Sequence, residues 1–300
     1  MLDYYFSLLG DIPSFLEKYL KVPSLVRLKK VGYFCGMDYA SKDVYDFSEY
    51  ISRFDHSLTV ALLTYKYTKR RKDTIAALFH DIATPCFSHV IDYMNKDYEK
   101  QESTEKYTET ILKNDKVFME CLKIDHLNEE DIINFKKYSI VDNDRPKLCA
   151  DRLDGVILTG MGWTKNVFKS DIKLILNDLC VLKNEDGKDE LGFKTIDVAL
   201  KVKEVSQRID VFCHSSEDNY MMELLAKITK YAIDKSYISY DDLYYLTEEK
   251  IFKIFESKND RKLNKLLTEF KTKKSSDIPV TQISNIKIRK LNPLVENKRI

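Results

Sequence analysis

Glycine and proline are scarce in this chain, at 8 and 6 residues of 300. So few breakers suit a mainly helical protein. Six cysteines, Cys35, Cys86, Cys121, Cys149, Cys180 and Cys213, are widely spread and none forms a CxxC pair, which excludes a zinc ribbon. No long apolar run is present. The N-terminus, MLDYYFSLLG, carries Asp3 and no basic segment, so it reads neither as a secretory signal nor as a membrane span. With no signal, reduced thiols and a cytoplasmic protein are expected. Neither GxxxxGK nor GxGxxG occurs, so Gly160-Met161-Gly162-Trp163 reads as a turn and not as a phosphate loop.

Net charge is only +1, so no whole-molecule field draws in nucleic acid. The charge is unevenly placed. Residues 258–300 hold twelve Lys/Arg against four Asp/Glu, a net of +8 that leaves −7 for the rest. A basic tail of this kind could meet RNA, DNA or an acidic partner. A solvated chain end explains the same numbers more simply. Hydrophobic residues make up 44% and charged residues 32%, the balance of a globular chain with one large or two small domains.

What the chain does have is a concentration of metal-ligand residue types. Three of its five histidines, His56, His80 and His89, fall between Arg53 and Asp92, and Asp81 directly follows His80. A further candidate ligand, Asp151, lies in KLCADRLDGV. Imidazole nitrogen and carboxylate oxygen are good ligands for divalent first-row metals, and two of each leave positions for water and a substrate oxygen. Apolar spacing predicts a helix over 54–67 carrying His56 and a shorter one over 74–79, which His80 and Asp81 would end before Pro85. A lone histidine on an apolar helix is more often packed core than ligand. The ordered occurrence of RFDHS, ALFHD, FSHVID and CADRLDG outweighs that simpler reading.

These segments resemble the HD-domain metal-dependent phosphohydrolases, nearest the deoxynucleoside triphosphate triphosphohydrolase branch. Arg53-Phe54-Asp55-His56-Ser57-Leu58 resembles that branch's RFEHSL. His80-Asp81, followed by Phe87-Ser88-His89 and Asp92, resembles HDxGHxPFSHxxD. Asp151-Arg152-Leu153-Asp154 resembles DKxDY, LVRLKKVG over 25–32 resembles RLRxIxQLG, and Asn292-Pro293-Leu294-Val295 faintly resembles a VDPLV strand. The likeness covers roughly residues 12–250. It also departs from the branch. Thr84 stands where the branch has a second histidine that helps protonate the leaving group, and Thr104 where it has the histidine of THE. Gly155 replaces the tyrosine of DKxDY and Lys30 the glutamine of QLG.

The resemblance implies an all-α HD-domain helical bundle with a small β element near the C-terminus. Residues 1–250 would form the HD-type domain and 251–300 a basic extension with a short strand. It implies one divalent ion held by His56, His80, Asp81 and Asp151, with Mn, Fe or Zn favoured over Mg by the imidazoles. Asp81, His89 and Asp92 are the expected catalytic residues, His89 and Asp92 as a proton-handling or substrate-orienting pair three residues apart on one helix face. Arg53 and Arg152 are the expected phosphate-binding residues, since a guanidinium fork suits phosphate oxygens, although either could be a surface ion pair. Asp154 reads as a carboxylate that supports the site or as an ion-pair partner. The expected substrate is a nucleotide or related phosphate ester, and a homo-oligomer is compatible with the sequence. Two alternatives stay open: a phosphodiesterase of the same fold, and a regulatory nucleotide-binding module without turnover.

Helices are further expected over 11–20, 147–158, 167–182, 195–214 and 219–235. The alternation of Ile286, Ile288 and Leu291 makes 278–291 the best strand candidate.

Overall fold

The computed structural model describes residues 1–99, 107–280 and 286–300. Its central element is helix α1, Arg53–Thr68, with eleven of its sixteen residues buried. The start is set locally. Ser52 accepts a hydrogen bond from the Asp55 N–H, while the Asp55 side chain accepts from the Ser52 N–H, a reciprocal capping box. The helix stops at Lys69, in the left-handed region at φ 55°. Helix α2, Arg71–Phe79, packs back along α1. The chain then crosses the core through residues 80–89 to the short helix α3, Val90–Met94.

Helix α4, Ala150–Gly162, also packs against α1. It extends beyond the expected 147–158 and runs through the glycines expected to form a turn. Their lack of side chain serves close packing. A Cβ at Gly160 would stand 2.4 Å from Val167 Cγ2, and one at Gly162 would stand 2.8 Å from the Phe34 ring. Long helices α5, Ile196–Cys213, and α6, Ser216–Asp234, complete the walls. The helix expected over 167–182 ends at Asp178, and the remainder pairs as a strand. The helix expected over 11–20 is broken into two short 3₁₀ turns at Ser14–Leu16 and Tyr19–Lys21.

The small sheet joins mid-chain residues to the last ones. Strands β1, Leu179–Lys183, and β2, Asp189–Phe193, are antiparallel. Strand β3, Leu294–Val295, adds parallel to β2, and β4, Lys298–Arg299, closes antiparallel on β3. Glu296 and Asn297, at φ 49° and 63°, make the tight turn between them. Arg299 fixes this end by donating to both oxygens of buried Glu190, at 2.9 and 3.0 Å.

The strand expected over 278–291 is a correction. Residues 281–285 lie outside the described residues, and 278–280 and 286–291 are not strand. Their backbone finds other partners. Lys287 N–H donates to the Tyr98 carbonyl, and Arg289 N–H donates to the Asp210 side chain. Ile286 is buried and Ile288 is 68% exposed, so the alternation records one covered face, not pairing.

Glu248 ties three segments together near the site. Its fully buried carboxyl accepts from Gly32 N–H and Phe87 N–H, both at 3.0 Å. Burial pushes it up to about 8 against those two donors. Among the described residues no helix is long and apolar enough to cross a membrane.

Candidate metal centre

His56 projects from the first turns of α1 into the gap between α1, α2 and α4. Its Nδ1 is 2.7 Å from Asp154 Oδ2, and the Tyr5 hydroxyl donates to Asp154 Oδ1 at 2.7 Å. Asp154 is fully buried on α4. The ring is therefore held from behind, with Nε2 turned toward Asp151 Oδ1 at 3.1 Å. His80 stands at the end of α2, where Nδ1–H donates to the Ala77 carbonyl at 2.8 Å. That bond leaves the lone pair on Nε2.

His80 Nε2 is buried and has no hydrogen-bond partner. It lies 3.5 Å from Asp151 Oδ1 and 3.8 Å from Asp81 Oδ1. An unsatisfied buried acceptor costs about 1–3 kcal/mol, which a bound cation would offset. Ligand atoms of His56, His80 and Asp151 all lie within 4.8 Å of one another. Asp81 sits at the edge of this group, with Oδ2 3.8 Å from His56 Nε2. Two imidazole nitrogens beside carboxylate oxygens fit a divalent first-row ion.

The electrostatics point the same way. Burial pulls His56 down, but hydrogen bonds to Asp151 and Asp154 outweigh it and hold it at about 10. Burial also lowers His80, yet Asp81 and Asp151 raise it overall. Burial raises Asp151, and the two imidazoles overcome that and hold it well below the carboxylate range. Each group thus favours positive charge at the centre of the cluster. A proton on His56 would serve there, but the 3.5 Å gap at His80 is too long for a good hydrogen bond and suits a cation better. Asp142, Cys149 and Asp151 form a second close group. Burial pushes the Cys149 thiol up to about 12, which makes it the poorer ligand set.

The other expected site residues gather around this cluster. Arg53 Nη1 donates to Asp81 Oδ2 at 2.9 Å, and its guanidinium lies 4.8 Å above the Tyr33 ring. Arg53 is thus committed in part to a neighbouring carboxylate. Arg152 is committed further. Its Nε donates to the Lys147 carbonyl at 2.8 Å, Nη1 to Asp142 at 3.3 Å, and Nη2 to Asn143, so it fastens the 142–147 loop. His89 Nδ1 is 2.9 Å from the buried Asp92 Oδ2, and His89 lines the same cavity. Burial lowers His89 more than Asp92 raises it, which favours its neutral form. Phe87 and Ser88 precede it at φ 67° and 45°, a strained turn of the kind that functional sites retain.

Thr84 points elsewhere. It is fully buried, its carbonyl accepts from Arg27 Nη2 at 2.6 Å, and it does not line the cavity. Thr104 lies outside the described residues. Gly155 does line the cavity, and a Cβ there would stand 3.1 Å from the Tyr33 hydroxyl. Tyr33, from a different segment, takes up the space that Gly155 leaves.

The cavity measures about 330 Å³. Beyond the histidines it is walled by Phe34, Tyr45, Phe47, Tyr93 and Trp163, with Phe34 and Phe47 stacked at 4.3 Å between centroids. Arg145, Lys287, Arg289 and Asp218 also line it. None of these was legible as a site residue. The aromatics sit in no motif, and the only trace of Lys287 and Arg289 was the basic excess of the tail.

Residues 53–154 match the HD domain family. The matched stretch begins at Arg53 and ends at Asp154, so it spans the whole His/Asp cluster. The uncharacterized protein YdhJ of Bacillus subtilis is 28% identical over 259 residues, 85% of this chain and 75% of that protein. The metal-dependent phosphohydrolase cns2 of Cordyceps militaris is 24% identical over 125 residues, 42% of this chain and 36% of that protein. The chain thus carries a stretch, residues 53–154, that is similar to an HD domain and holds the His/Asp cluster.

Proposed function

We propose that this chain is a metal-dependent phosphohydrolase acting on a nucleotide or a related phosphate ester. His56, His80, Asp81 and Asp151 would hold one divalent ion, with Mn, Fe or Zn favoured over Mg by the imidazoles. One observation carries this reading. The buried His80 Nε2 has no hydrogen-bond partner and faces Asp151, within 4.8 Å of the His56 ligand atom. When bound, the ion would supply an activated water and polarise a phosphoryl oxygen.

The chain's own residues would do the rest. Asp154 and the Ala77 carbonyl fix the two imidazole rings. Arg53 orients Asp81 and, with Arg152, presents positive charge to the phosphate. Asp92 accepts from the Nδ1–H of His89, which leaves the Nε2 lone pair to take a proton from the attacking water and return it to the leaving group. Phe34, Phe47 and Trp163 give a flat organic group an apolar wall and exclude water around it. We also propose that residues 1–250 are the HD-type body and 251–300 an extension that lends Lys287 and Arg289 to the cavity. Six free thiols fit a reducing compartment such as the cytoplasm.

Within the superfamily, the motifs lie nearest the deoxynucleoside triphosphate triphosphohydrolases, but Thr84 and Thr104 replace two of that branch's histidines. Protein reconstituted with Mn, Fe or Zn should release inorganic phosphate from nucleoside monophosphates or model monoesters. Release of intact tripolyphosphate from deoxynucleoside triphosphates should be weak or absent. Robust tripolyphosphate release would overturn the substrate assignment. Cleavage of bis(p-nitrophenyl) phosphate in preference to monoesters would make the protein a phosphodiesterase.

A further inference from the structure

Two segments far apart in sequence bring cations to one side of the cavity. Arg145 comes from the 142–147 loop, and Lys287 and Arg289 come from the C-terminal segment. The segments are fastened to each other and to the wall. Asn292 N–H donates to the Pro146 carbonyl at 2.9 Å. Arg289 N–H donates to Asp210 Oδ1 at 2.7 Å, and the Ser206 hydroxyl donates to the Arg289 carbonyl at 3.2 Å. Arg289 is thus placed by its backbone, with its side chain against the cavity.

The charge count favours an anion there. Five Lys/Arg side chains line the cavity against four Asp. A divalent ion at the histidines would raise the excess from one positive charge to three. The dianion of a phosphate monoester would offset two of these. Arg53 and Arg152 are already engaged by Asp81 and by the 142–147 loop, and Arg289 Nη1 donates to the Lys287 carbonyl at 3.3 Å, which holds the two C-terminal cations side by side. Arg145 has no carboxylate within ion-pair distance among the described residues. Although the residue as a whole is exposed, burial of its guanidinium and then the charges of Arg152 and Arg289 pull it down. Like charges held this close are stabilised by a bound anion.

We propose that Arg145, Lys287 and Arg289 form an anion subsite that binds a second charged group of the substrate, while the His/Asp centre takes the reacting phosphate. The substrate class is then a phosphate ester with another phosphate or comparable anion elsewhere in the molecule. This rests on the phosphohydrolase reading of the pocket.

The test is calorimetric binding of adenosine 5′-monophosphate, adenosine diphosphate and adenosine 3′,5′-bisphosphate to full-length, chelator-treated protein. At least one doubly phosphorylated probe should bind about tenfold tighter than the monophosphate. The preferred probe shows whether the second charge adjoins the first phosphate or lies across the ribose. Arg289→Gln and Arg145→Gln should each remove most of that preference, with unchanged circular dichroism. Equal affinities in the wild type, or a preference that survives both substitutions, would overturn the subsite. Turnover of p-nitrophenyl phosphate by the metal-loaded wild type is read separately. Its absence counts against the phosphohydrolase reading, whereas the binding preference bears on the subsite alone.

Discussion

Asp81→Ala is expected to abolish phosphate release and to weaken the metal. The substitution removes an anionic group 3.8 Å from both imidazole Nε2 atoms, leaving two neutral rings and Asp151. It also removes the carboxylate paired with Arg53 at 2.9 Å, in a setting where Arg53 is itself buried. Breaking one partner out of such a pair costs about 3–5 kcal/mol. Circular dichroism and a melting curve must therefore accompany the assay. Arg53→Ala separates the two roles. It should leave the metal bound, raise KM through the lost phosphate contact, and lower kcat because Asp81 loses its orienting bond. Wild-type turnover and full metal content in Asp81→Ala would place the site elsewhere. Loss of metal in Arg53→Ala but not in Asp81→Ala would reverse the assignments.

Asp154→Asn is expected to weaken metal binding by about 10- to 100-fold, the usual effect of losing a group that orients a ligating histidine. The asparagine keeps the shape and can still accept from His56 Nδ1, with its amide turned toward the Tyr5 hydroxyl. What is lost is the negative charge behind the ring, which makes Nε2 the stronger donor toward a cation. Asp154→Ala should cost more, because it also frees the ring and leaves the buried Tyr5 hydroxyl unpaired. Competition with a chromophoric chelator reads both affinities. An affinity within twofold of wild type for Asp154→Asn would remove Asp154 from the metal centre's support.

Much of the helical frame and of the centre was legible because its signals are local. Apolar spacing located α1 and α2 within a few residues. His89 and Asp92, three apart, meet at 2.9 Å as helix geometry suggests. Asp154, three residues after Asp151 on one helix, reaches His56 Nδ1 at 2.7 Å. What was not legible depends on distant pairing. Strand β3, Leu294–Val295, was legible only through the resemblance of Asn292-Pro293-Leu294-Val295 to a VDPLV strand; its pairing with the edge of β2, a hundred residues earlier, was not. The more regular alternation at 286–291 finds no such edge. Gly160 and Gly162 read as turn residues because their packing partners, Val167 and Phe34, cannot be inferred from the helix itself. Lys287 and Arg289 read as part of a solvated tail for the same reason. A basic excess records charge, and only the fold shows that two of those charges face the cavity.

The account stands or falls on the metal. Protein purified without chelator, or stripped and reconstituted with Mn, Fe or Zn, should carry about one transition-metal equivalent per chain by elemental analysis. His80→Ala should reduce that content sharply, since its unpartnered Nε2 is the group that most requires a cation. Protein that stays metal-free after reconstitution with all three metals would contradict the account.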